Sequence, residues 1–383
     1  MRTIISLLSA VALGIVLGLL ATPGVMTVVL AIKQITGQLI FFLIPLIILG
    51  FVAPSIASQK GNVSKTLLLA FAIAYLSSIG AAFFSVGLSE VLVPVLNITE
   101  DTTVGRELPQ QIFQLEIPPI MSVMTALVLA VCLGLGVVFT HSDTLSKLLE
   151  EFKEIVLFLV KKLLIPILPF YIAANFAALA YEGNIARLKV FLPVIIIVIL
   201  AHYVWLGVLY LIASVYSHKN GWRVLKHYLP AYLTALGTMS SAATLGVALE
   251  CAHKSDALDS DTVDFAVPLF ANIHLCGSVL TEVFFIAVTS QLLYGHMPTF
   301  GTFAIFIVLL GIFAVGAPGV PGGTVLASLG LVISVIGFDD AGTALLIAIF
   351  ALQDSFGTAC NVTGDGALSL IIDTFKHRHP AKA

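Results

Sequence analysis

The sequence predicts an all-α membrane protein with eight transmembrane helices and two re-entrant helical hairpins. Three observations predict it. The 383 residues are 59% hydrophobic and 10% charged, with a mean hydropathy of +1.09, whereas a soluble domain carries about 25% charged residues. Apolar runs long enough to cross a hydrocarbon core of about 30 Å recur along the chain. Two further pairs of shorter apolar arms are interrupted by Gly, Pro and Ser, and such backbone cannot sit mid-helix facing lipid. A net charge of −3 without a basic stripe gives no reason to expect a nucleic-acid partner. The cysteines Cys132, Cys251, Cys276 and Cys360 are isolated, with neither metal nor disulfide spacing.

The first expected span is Ile4 to Leu20. Its basic flank is weak and further spans follow, so it reads as a membrane helix rather than a cleaved leader. Leu39 to Ile56 follows, with Pro45 and Pro54, then Leu67 to Val93 with Tyr75, Ser77 and Ser78. An acidic loop, Asn97 to Glu116, holds the tripeptide Asn97-Ile98-Thr99, formally a glycosylation sequon. Pro118 to Phe139 is the fourth span. The charged, amphipathic stretch Asp143 to Lys162 runs into Leu163 to Tyr181, broken by Pro166 and Pro169, and Leu188 to Val215 is the sixth.

Beyond residue 215 the pattern changes. Gly237 to Gly246, reading GTMSSAATLG, divides two arms of roughly ten residues, too short at about 1.5 Å per residue to cross the core. Ala266 to Leu292 is the seventh span and carries His274, Cys276, Ser278 and Glu282. Thr302 to Val315 and Val325 to Ile336 are short arms around Gly316 to Gly323, reading GAPGVPGG. The eighth span is Leu345 to Ile372. With the N-terminus inside, 14 of the 18 Lys and Arg residues fall on the cytoplasmic side, as the positive-inside rule requires, and both termini are cytoplasmic.

Chemistry concentrates on the last span. Asp354, Thr358, Asn361 and Asp365 lie at i, i+4, i+7 and i+11, the last three within about 40° of Asp354 around a helix, so all four share one stripe. Carboxylates inside a membrane are costly and face a cavity, a pathway or a partner. Two of them beside an amide make a surface for a cationic or zwitterionic ligand; the bland alternative is a polar seam that glues helices. Paired discontinuous segments point to the midplane site of a secondary transporter. Their half-helix ends offer dipoles and free backbone groups.

Several motifs, in order, resemble the glutamate transporter family, the dicarboxylate/amino acid:cation symporters. They are Ser240-Ser241, Pro268-Leu269 leading to Gly277-Ser278, Gly319-Val320-Pro321-Gly322, and Asn361-Val362-Thr363-Gly364-Asp365. The motifs cover about Lys219 to Phe375, and the first six spans agree by pattern. The resemblance implies an elevator-type fold in a homotrimer surrounded by lipid. Residues 1–215 are then mainly scaffold and trimerisation helices with parts of the transport domain. Residues 216–376 are the transport core, and 377–383 a cytoplasmic tail.

The resemblance also implies roles. Asp354 holds a substrate amino group, and Thr358 and Ser278 contact the substrate. Asn361 meets its α-carboxylate, and Ser240 and Ser241 form the first hairpin tip. Val320, Pro321 and Gly322 form the second tip, which gates the site. Sodium is the co-transported ion, with Asp365, Asn361, Phe270 and His274 as the implied set; no other cofactor is expected. Glu282 stands where some members carry a proton-exchanging glutamate, and His274 is a second proton-coupling candidate. Glu282 reads otherwise as a neutral packed acid, and His274 as a hydrogen-bonded core histidine. The two lie eight residues apart, about 80° around one helix.

Departures bear on the substrate. Gly357 stands where acidic-amino-acid transporters have an arginine, and glycine offers no bidentate partner for a second carboxylate. The run Gln353-Asp354-Ser355 resembles the serine/threonine type. Cys276 replaces a sodium-site carboxylate, and Phe350 replaces another one turn before Asp354. These residues predict no enzyme but a symporter of a small neutral amino acid, coupled to sodium, protons or both. The alternative is a dicarboxylate or acidic amino acid, its second carboxylate held by hairpin backbone. A remoter reading is an intramembrane aspartyl protease using Asp365 and a second acid. Val362 stands where that protease motif needs glycine.

Overall fold

The computed structural model describes residues 2–57, 65–96, 106–110, 115–183, 190–317 and 322–378. All regular structure among the described residues is helical. Helices α1 (Arg2–Leu20), α2 (Pro23–Ala57), α4 (Val123–Thr140), α5 (Asp143–Leu159) and α6 (Ile165–Tyr181) form one packed group: α1 lies on α6, and α2 on α4, α5 and α6. Helix α3 (Lys65–Leu92) and helix α7 (Phe191–Ser217) instead pack on the C-terminal half of the chain.

Helix α2 starts well before the expected Leu39, because Lys33, Gln34 and Gln38 are helical rather than loop residues. Gln38 accepts the Ile117 N–H at 3.0 Å. Pro45 and Pro54 are both inside α2 and buried, so packing overrides their missing donors. Helix α4 starts later than Pro118, at Val123, with Ser122 as its cap, since Pro118 and Pro119 favour extended backbone before them. Between α5 and α6 the chain makes a π-type turn, Val160–Leu164. Pro166 and Pro169 follow it, and each denies the preceding turn an N–H.

The C-terminal half runs through α8 (Trp222–Leu225), α9 (Leu229–Thr238), α10 (Ser241–His253), α11 (Ser260–Ile273) and α12 (Cys276–Tyr294). It continues through α13 (Phe300–Gly316), α14 (Gly323–Leu331, extended by a π-type turn Val332–Ile336) and α15 (Asp340–Arg378). Helices α9 and α10 form one hairpin and α13 and α14 another; α15 runs between them, against α7, α9, α11 and α12. Among the described residues, six stretches are long and apolar enough to cross a bilayer, beginning at Pro23, Lys65, Asp143, Phe191, Ser260 and Asp340. Within the same residues the first and fourth expected spans appear as shorter apolar helices.

The seventh expected span is not one helix. It breaks at His274-Leu275, where His274 is extended and Leu275 is non-helical, and restarts at Cys276. The angular relation drawn between His274 and Glu282 on a continuous helix therefore fails. The cause is that both halves find better partners outside: the His274 ring and the first N–H groups of α12 are bonded to α3 and α15 side chains. The sequon at Asn97 and the tip residues Val320 and Pro321 lie outside the described residues.

Candidate functional site

Three helix beginnings converge on the middle of α15. In the first hairpin, Met239 adopts a left-handed conformation that ends α9, and Ser240 caps α10 by accepting the Ala243 N–H at 3.2 Å. In the second, Gly322 sits at φ +72° and starts α14, a backbone that favours glycine. The third is the start of α12 after the His274 break. These beginnings and α15 enclose a cavity of about 30 Å³, room for about one water. Met239, Ser240, Ser241, Ser278, Gly323, Thr324, Asp354, Thr358 and Asn361 are among its lining residues. A larger cavity of about 620 Å³ lies elsewhere, between α2 and the start of α15, lined by Lys33, Asp339 and Asp340 among mostly apolar residues.

Asp354, Thr358 and Asn361 face the cavity, as the stripe predicted, and all three are buried. Asp354 Oδ2 accepts the backbone N–H of Gly322 at 2.7 Å, which ties the start of α14 to the stripe. Asn361 is occupied differently from the role implied for it. Its Oδ1 accepts the N–H groups of Gly277 (2.7 Å) and Ser278 (3.3 Å), and its Nδ2 donates to Ser278 Oγ at 2.9 Å. It caps α12 from outside, supplying the partners that the first N–H groups of a helix lack.

Gly357 does not line the cavity. A Cβ there would stand 3.3 Å from the backbone N and Cα of Ser278, so α12 packs directly against this position. It lies about 60° round α15 from Asp354, enough to turn it from the ligand face to the packing face. Among the lining residues there is no Arg, Lys or His.

Asp365 also turns away from the cavity. Its Oδ1 lies 2.8 Å from His274 Nδ1, and His274 Nε2 is 2.9 Å from Ser77 Oγ on α3, so both ring nitrogens are at hydrogen-bond distance from a partner. Asp365 Oδ2 is buried with no partner among the described residues. Phe270 is buried, its carbonyl accepts the His274 N–H at 2.9 Å, and its ring lies edge-on to the imidazole. Cys276 and Phe350 are fully buried.

Glu282 lies on α12, fully buried, and its Oε1 accepts from the Ser328 hydroxyl of α14; Oε2 has no partner among the described residues. Sequence reasoning named Glu282 but not Ser328, and noted Ser77 without a role. A hydroxyl in an apolar span was the only signal for either, and many such hydroxyls merely bond their own helix.

Residues 4–375 match the sodium:dicarboxylate symporter family. The chain belongs to that family. Its fold, all-helical with many apolar helices, is that of a multi-pass membrane protein, and the family is one of transporters rather than enzymes. Excitatory amino acid transporter 1 of Homo sapiens is 26% identical over 266 residues, which is 67% of this chain and 47% of that relative. Excitatory amino acid transporter 2 of Mus musculus is 26% identical over 248 residues, 61% of this chain and 41% of the relative. An excitatory amino acid transporter of Caenorhabditis elegans is 27% identical over 155 residues, 40% of this chain and 30% of the relative. The chain thus spans about half the length, or less, of these relatives.

The protease reading falls with this membership and with the geometry. Asp354 and Asp365 are eleven residues apart on one continuous helix, about 16 Å along its axis. They cannot share a proton or a water.

Proposed function

We propose that the protein is a symporter that carries a small neutral amino acid across the cell membrane, coupled to a cation gradient. The observation that carries this reading is the α15 cavity. It holds one carboxylate, Asp354, for an ammonium, and the beginnings of α10 and α14 for a carboxylate. Ser278 and Thr358 supply hydroxyl partners for a short polar side chain. A cavity of about 30 Å³ is too small for an amino acid, so loading requires the second hairpin to lift. Release of the Gly322–Asp354 bond frees Asp354 in the same step.

The moving unit in this reading is 216–376, with both hairpins, α11, α12 and α15. Residues 1–215 supply mainly the scaffold, and α3 and α7 travel with the core on which they pack. The tail, 377–383, is cytoplasmic with both termini. A homotrimer held through the scaffold lets each subunit move its own core as an elevator. Glu282, bonded to Ser328 across α12 and α14, is placed to couple a proton to closure of the second hairpin.

The dicarboxylate or acidic amino-acid reading is favoured by the family's name and by the relatives, which are excitatory amino acid transporters. In that case two helix beginnings take two carboxylates without a cationic side chain. Uptake of a radiolabelled panel of amino acids and C4-dicarboxylates into proteoliposomes, with and without sodium and proton gradients, decides between them. Failure of every compound to accumulate under either gradient would refute the transporter reading.

A further inference from the structure

We propose that the imidazole of His274 takes the place of a bound sodium ion at Asp365, so that in this member of a sodium symporter family the Asp365 carboxylate is not a sodium seat. The inference rests on the reading of the chain as a cation-coupled transporter and concerns which residue, rather than which ion, balances Asp365.

The ring is fixed on both sides. Its Nδ1 is 2.8 Å from Asp365 Oδ1, and its Nε2 is 2.9 Å from Ser77 Oγ. His274 and Asp365 are both buried, so neither exchanges its partner with bulk water. The ring is in place because the helix is interrupted at His274 and Leu275, where a continuous helix would have carried it elsewhere.

The surroundings suit an imidazole and not a hard cation. Sodium, like calcium and magnesium, is held by oxygen. Next to Asp365, the Cα of Gly364 faces His274 Cε1, Leu209 Cδ1 and Cys276 Sγ, and a Cβ on it would stand 2.9, 3.3 and 3.5 Å from them. The His274 ring is therefore packed directly against the Gly364 backbone beside Asp365. Gly364 is what lets the ring approach, since its missing Cβ would otherwise collide with the imidazole. On the neighbouring side, a Cβ at Gly366 would stand 2.6 Å from Tyr210 Oη and 2.8 Å from the Tyr228 ring. Tyr210 spends its hydroxyl on Thr363 O at 2.9 Å. The competing arrangement is a sodium ion on Asp365 Oδ2, which lacks a partner among the described residues.

The test is thermal unfolding of the purified protein without substrate, in about 100 mM sodium chloride or the same concentration of choline chloride. It compares wild type, His274→Ala and Asp365→Asn. A site with a dissociation constant on the order of 10 mM shifts the unfolding equilibrium roughly tenfold at that concentration. The expected result is a sodium-specific shift in His274→Ala, where the carboxylate is bare, that neither wild type nor Asp365→Asn exceeds. A wild-type sodium shift that Asp365→Asn abolishes overturns the proposal. So does a folded His274→Ala protein that gains no sodium response. A wild-type sodium shift unchanged in Asp365→Asn places sodium elsewhere and supports it, and decides the matter if His274→Ala does not fold. These readings need no substrate, so they stand apart from failure of the transporter reading, which uptake reports.

Discussion

The backbone N–H of Gly322 donates to Asp354 Oδ2 at 2.7 Å, so the start of α14 and the one carboxylate among the cavity's described lining residues are partners. An ammonium ligand needs the same oxygen or its neighbour. If Asp354 is the amine partner proposed above, substrate binding and the position of the second hairpin are expected to be coupled through this carboxylate.

Asp354→Asn is expected to separate the two roles. Its amide oxygen still accepts from Gly322, so the hairpin stays closed, but it no longer neutralises an ammonium. Breaking a buried charge pair costs about 3–5 kcal/mol, roughly a 10²- to 10³-fold loss of amino-acid affinity. Equilibrium binding of a labelled substrate to purified protein measures it. Undiminished affinity in a folded variant rules out Asp354 as the amine partner.

Asn361 predicts a structural penalty that a purely ligand-binding residue would not show. Asn361→Ala leaves the Gly277 and Ser278 N–H groups buried without their acceptor. Each unsatisfied donor costs about 1–3 kcal/mol. The variant should unfold at lower temperature or denaturant even without substrate. Unchanged stability would mean that α12 finds another cap.

Far from the cavity, Asp373 near the end of α15 is buried, with Oδ2 2.7 Å from Lys219 Nζ and Oδ1 accepting the Asp259 N–H at 2.9 Å. This joins the segment after α7, the start of α11 and α15. Lys219→Met leaves the carboxylate without its cation. The loss should reach the lower end of the range for a broken buried pair, about 3 kcal/mol, because Lys219 itself is one-third exposed. Lys219→Met with Asp373→Asn should recover part of it. Denaturant unfolding of the three proteins is the measurement, and additive losses would contradict the pairing.

The sequence disclosed the stripe because helical spacing maps directly onto one face. Asp354, Thr358 and Asn361 meet one cavity for that reason. The hairpins were legible from Gly, Pro and Ser among apolar arms too short to cross a bilayer. The break at His274-Leu275 was not legible. It carries neither Gly nor Pro at the break itself and is held open by Ser77, Asp365 and Asn361, which lie far away in sequence. Gly357 was misplaced for a related reason: adjacency to Asp354 in sequence says nothing about which neighbouring helix fills the gap. Tertiary partners, not local propensity, decide both.

In the proposed reading, selectivity is expected to rest on the cavity wall rather than on Gly357. Asp354 is acidic, and among the lining residues no Arg, Lys or His offers a countercharge to a second substrate carboxylate. Desolvating that charge without a partner costs several kcal/mol. A hydroxyl or methyl side chain carries no such cost, and Ser278 and Thr358 can meet a hydroxyl. Serine, threonine or alanine should outcompete aspartate and glutamate by at least roughly tenfold, about 1.4 kcal/mol. Gly357→Arg should not convert the preference to acidic substrates, because a Cβ at that position already stands 3.3 Å from the Ser278 backbone. The arginine would push α12 away and weaken binding of every substrate, whereas Gly357→Ala should do so only mildly. Competition of labelled serine uptake by unlabelled amino acids and C4-dicarboxylates reads both effects. If aspartate or a C4-dicarboxylate competes best in the wild type, the beginnings of α10 and α14 must be holding two carboxylates, and the acidic reading replaces the neutral one.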